Sequence, residues 1–123
     1  MTFKNVMIAG CLLFAGLAVG LVLAPSLFCT LFGLPSDQSA LVMARRAGVL
    51  MVGFSILTYV LRDLPANPLR HNVMKGFVVM LLLMAGLGIV ELMSANVGAG
   101  ILIAVVTEIA FALAFWTTRN DIA

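Results

Sequence analysis

Charge is what this sequence has least of. Only 7 basic and 5 acidic residues occur in 123, so charged side chains make up 10% of the chain, where a soluble domain carries about a quarter. That is too little polarity to cover a water-facing surface, which excludes a soluble enzyme, a disordered chain and a nucleic-acid binder. No run of like charge occurs, and a net charge of +2 points to no acidic partner beyond the ordinary negative membrane surface. Cysteine is nearly absent as well: Cys11 and Cys29 fall in the first apolar stretch, about 27 Å apart along a helix, beyond the reach of a disulfide. A single histidine, His71, with no cysteine near it, cannot make a zinc or haem site. No nucleophile with a base, no glycine-rich phosphate loop and no carboxylate pair at catalytic spacing occurs. Enzymatic chemistry therefore has no positive support, and neither metal nor cofactor is expected.

What is present in quantity is apolar sequence, 63% of all residues. A membrane-crossing helix needs about 20 mostly apolar residues. Val6 to Ala24, Ser39 to Leu61, Asn72 to Ser94 and Val97 to Thr118 supply four such segments, here called helices 1 to 4. The expected fold is an all-α membrane bundle in one domain over residues 1–123. Pro25 ends helix 1, and Ser26 to Phe32 reads as a short interfacial turn. Residues 33–38 form a turn, with Ser39 as the cap of helix 2. The stretch 62–71 is the longest polar connection, its Pro65 and Pro68 forbidding one continuous helix, and Ala95 with Asn96 makes the last hairpin. An even number of spans places both termini and residues 62–71 on one side, with Lys4, Arg62, Arg70, Lys75 and Arg119 there against Arg45 and Arg46 on the other. The positive-inside rule puts that richer side in the cytoplasm, and Tyr59 and Trp116 sit where an aromatic belt belongs.

Five charges fall inside these spans, of which Lys75, four residues in from the cytoplasmic side, snorkels to the interface. Without Arg45 and Arg46 the apolar run of helix 2 is about 22 Å long, short of a hydrocarbon core of about 30 Å, so the arginines lie within the span. Neighbours on a helix point about 100° apart, so one faces the bundle and the other reaches for headgroups. Glu91, near the outer end of helix 3, lies on their side of the membrane and is expected to pair with them. Glu108 falls near the bilayer midplane, where an unpaired charge costs at least about 2.5–3.5 kcal/mol. Counting four residues each way from it gives Gly100, Ala104 and Ala112, a small-residue face that lets another helix approach. Gly16-x-x-x-Gly20 in helix 1 is a second small-residue motif suited to packing within the bundle.

Ala44-Arg45-Arg46-Ala47-Gly48 opening helix 2, after Pro25 and Leu31-Phe32-Gly33-Leu34-Pro35, resembles the small four-helix inner-membrane proteins of bacteria whose function is unknown. The resemblance implies a four-helix protein of the bacterial plasma membrane and no particular activity. Two uses of the Arg45, Arg46, Glu91, Glu108 cluster remain open. It can be an ion-pair device that orients helices in an accessory or structural subunit of a membrane assembly. Alternatively, Glu108 exchanges a proton for an ion or small solute in a homo-oligomeric transporter. The partners implied are the lipid bilayer and a second copy or another membrane protein.

Overall fold

Local signals set the helix boundaries in the computed structural model, which describes residues 1–121. Helix α1, Phe3–Leu23, starts where the Thr2 hydroxyl accepts from the Asn5 amide, and it stops at Ala24, ahead of Pro25. The proline then serves as the first residue of a seven-residue helix, α2, Pro25–Leu31, a position where its missing N–H is no loss. Gly33, at φ +69°, reverses the chain after α2, and the Leu34 amide returns to the Cys29 carbonyl. Helix α3, Gln38–Val60, is capped by Asp37, whose carboxylate accepts from the Ala40 amide at 2.8 Å. This corrects the expectation that Ser39 is the cap. A 3-10 turn over Leu61–Asp63 follows.

Helix α4, Pro68–Met93, begins four residues before the expected span. Asn67 caps it by accepting from the Arg70 amide, and Pro68 at the first position starts the helix rather than breaking it. Helix α5, Ile101–Thr118, begins four residues later than expected, because residues 94–100 form a broader turn than Ala95 and Asn96 alone. Ala95 adopts φ 59°, with the Asn96 amide bonded to the Glu91 carbonyl and the Ala95 amide to that of Leu92. This is a glycine-type helix stop made with an alanine.

Among the described residues all regular secondary structure is helical, and α1, α3 with its 3-10 extension, α4 and α5 are each long and apolar enough to cross a membrane. They correspond to helices 1 to 4. Large apolar side chains such as Leu12, Leu83 and Val106 are more than half exposed over the outside, as in a protein whose solvent is lipid.

α1 packs on α3, and α4 on α5. Gly48 of α3 sits so close to α1 that an added Cβ would fall 2.9 Å from the Leu21 Cβ, and Gly88 of α4 approaches Val105 of α5 in the same way. The Ser55 hydroxyl donates to the Cys11 carbonyl at 2.9 Å, a second tie between α1 and α3. A chain of rings, Phe14 to Phe54 at 5.6 Å, Phe54 to Phe77 at 6.3 Å and Phe77 to Phe115 at 5.5 Å, then threads α1, α3, α4 and α5 in turn. With Phe3, Val6, Met7, Met74 and Leu81 these rings form a core in the half of the bundle that carries the termini.

Candidate functional site

The end that carries the termini is closed. Arg70, in the first turn of α4, is 4% exposed. Its Nε donates to the Arg119 carbonyl at 2.9 Å and its Nη1 to the Leu64 carbonyl at 3.0 Å, while Nη2 reaches the carbonyls of Thr118 and Asp121. The guanidinium also lies over the Phe3 ring, 3.9 Å from its centroid. One side chain thus ties the starts of α1 and α4 to the end of α5 and satisfies carbonyls that a helix terminus leaves open. Lys4 pairs with Asp63 at 3.0 Å beside it. Sequence reasoning counted Arg70 only as a loop charge. Its signal was its position three residues after the Asn-Pro helix start, inside the first turn.

The opposite half is hollow. A cavity of about 320 Å³ lies between the C-terminal half of α1, α2, the middle of α3, the C-terminal half of α4 and the N-terminal half of α5. Leu17 and Leu21, Phe28 and Phe32, and Ala47 and Met51 make its walls on the first three helices. The wall is almost wholly apolar, yet both Glu91 and Glu108 line it. Phe28 holds its place by packing on Gly20, whose missing side chain leaves the ring room. The end of α2 is seated on the turn between α4 and α5: the Gly98 amide donates to the Phe32 carbonyl at 2.7 Å, and a Cβ on Gly100 would fall 1.8 Å from the Leu31 carbonyl oxygen.

The two carboxylates differ. Glu91 sits two residues before the end of α4 and accepts from the Asn96 side-chain amide at 2.8 Å. Glu108 is the eighth residue of α5, about 10 Å in from its start, so it lies roughly 7 Å deeper than Glu91. Its Oε2 is buried and has no hydrogen-bond partner among the described residues. Buried polar atoms in native structures are nearly always partnered; the described residues hold two exceptions, Arg119 Nε at the closed end and Glu108 Oε2, and only the second belongs to a cavity-lining residue.

The expected cluster does not assemble within the chain. Among the described residues, the ion pairs involve Lys4, Arg62 and Asp63, and none joins Arg45 or Arg46 to Glu91 or Glu108. Shared depth brought the residues level, but the contact of Gly48 with α1 fixes the rotation of α3. That rotation leaves Arg45 half-buried at the flank and Arg46 exposed, while Ala47 and Met51 face the cavity. The small-residue positions also divide. Gly20 packs on Phe28, Gly100 on Leu31, Ala104 lines the cavity and Ala112 is buried in the core, whereas Gly16 faces open space. Gly16 is therefore not a packing position within the chain, because the inward face of α1 runs through Gly10, Phe14 and Ala18. Compared with protein families, curated proteins and solved structures, the chain matches none of them.

Proposed function

We propose that this chain is a small carrier of the bacterial inner membrane, with both termini in the cytoplasm, that binds a small solute in the hollow half and couples binding to a proton or ion through Glu108. The observation that carries this reading is the buried, unpartnered Glu108 oxygen at the wall of an apolar cavity. A charge inside the bilayer costs at least about 2.5–3.5 kcal/mol, so a carboxyl group there is neutralised either by a proton or by a bound cation. Exchange between those two states is the elementary step of coupled transport. Four short helices enclose little by themselves, so the working unit is a homo-oligomer. In proteoliposomes carrying an internal pH dye, proton flux driven by a gradient of a small organic cation is expected for the parent and abolished in Glu108→Gln, with expression and assembly intact. Flux retained in that variant sinks the coupling role.

A second reading, an accessory subunit of a membrane assembly, draws on α3. This helix buries only Gly48 and Thr58, and neither of its arginines has an ion partner among the described residues. An acidic residue on another membrane protein would complete them. Native mass spectrometry from lipid-preserving extracts separates the two readings: a stoichiometric second protein supports the accessory role, and a homo-oligomer alone supports the carrier.

A further inference from the structure

We infer that the ligand of the hollow half is a lipophilic organic monocation, an ammonium group on an apolar body, seated with its charge at Glu108. The inference rests on the solute-binding reading above and names the chemistry of that solute. Charge gives the sign. Both ionisable groups lining the cavity are carboxylates, and no lysine, arginine or histidine lines it among the described residues. An anion would find no counter-charge there, whereas a cation meets two. Arg45 and Arg46, the basic residues nearest in depth, are not part of the lining.

The lining also excludes an inorganic cation. Divalent and alkali ions give up water only for a shell of several oxygen ligands, and this wall offers little beyond two carboxylates at different depths. Nor do the described residues contain a group of three or more metal-holding side chains. An organic cation needs no such shell, since its charge is already spread over carbon and its body replaces water against leucine and methionine. Phe28 and Phe32 add a specific element. Their rings stand edge to face, 6.1 Å apart, and both line the cavity, an arrangement that offers aromatic surface to an ammonium group. A volume of about 320 Å³ is at the lower end of ligand cavities, which fits one ring with a small ammonium head.

The two acids then have separate tasks. Glu91 already has the Asn96 amide and stands near the end of α4, where it raises the local concentration of cations. Glu108, deeper and unpartnered, holds the charge. One cation fills the site, because only one carboxylate lacks a partner.

The test compares two molecules of one shape, benzyltrimethylammonium and neopentylbenzene, in which carbon replaces the charged nitrogen. Binding of each labelled compound to the full chain in lipid nanodiscs is measured against empty nanodiscs and referred to its concentration in the lipid. The parent is expected to prefer the cation at least tenfold, Glu108→Gln to lose that preference while still binding the neutral compound, and Glu91→Gln to slow association with the preference kept. Equal affinity of the parent for both compounds overturns the cation assignment and leaves the solute cavity standing. Binding of neither overturns both. A tenfold preference that survives in Glu108→Gln removes Glu108 as the recognising group. The comparison of the two compounds on the parent needs no variant, so it decides even if a substitution prevents folding.

Discussion

At the end that carries the termini, Arg70 gives its guanidinium to four backbone carbonyls and Lys4 meets Asp63, over a core of interlocking rings; at the far end, Glu108 lines an apolar hollow with one oxygen unpartnered. The same four helices run through both halves, so composition does not explain the contrast. Side-chain size does. Phe3, Phe77 and Phe115 fill the space between helices in the first half, whereas the lining of the second includes Ala47 on α3, Gly88 on α4 and Ala104 on α5. The closed half supplies stability, and the hollow half keeps a polar group whose burial costs free energy.

The contrast is broken most severely at Arg70. Arg70→Met is expected to lower stability by about 3 kcal/mol, because it removes hydrogen bonds from a charged donor and leaves buried carbonyls without partners. Unfolding by denaturing detergent in bicelles measures it, and a loss under about 1 kcal/mol would remove the clamp from the account. Gly100→Ala, in the hollow half, drives a Cβ into the Leu31 carbonyl and is expected to cost about 2 kcal/mol in the same assay. Such a loss would show the seat of α2 to be tight although the cavity beside it is empty of side chains. Ala95→Gly should act in the opposite direction, raising stability by about 1 kcal/mol, since φ 59° strains an alanine and not a glycine. An unchanged midpoint would mean that this turn is relaxed in the folded chain. The smallest effect belongs to Arg45→Gln: with no ion partner among the described residues, it should change stability by less than about 0.5 kcal/mol. A loss above about 2 kcal/mol would restore the ion-pair cluster, formed within or between chains.

The four long helices were legible because a run of about 20 apolar residues has few other uses. Their ends were less so. Pro68 reads as a breaker until Asn67 is recognised as a cap that makes it a first helical residue, and Asp37 and Ser39 compete as caps within one turn. The acidic members of the site could be named from the sequence, since a charge in an apolar run identifies itself. Their partners could not. Counting residues gives depth, but rotation about the helix axis depends on which glycine admits a neighbour, and for α3 that is Gly48. The bonds of Arg70 were invisible for another reason: their acceptors are main-chain carbonyls, one of them 49 residues further along, and carbonyls carry no sequence signature.

That separation along the chain has a consequence for biogenesis. Synthesis proceeds from the N-terminus, so α4 and its arginine leave the ribosome while the carbonyls of Thr118, Arg119 and Asp121 do not yet exist. Until the last helix arrives, the nascent protein carries a guanidinium without most of its acceptors, and a product truncated before that helix carries it permanently. Of the four carbonyls that hold the guanidinium, only that of Leu64 precedes Arg70 in synthesis, so the clamp closes only once α5 has been made and packed against α4.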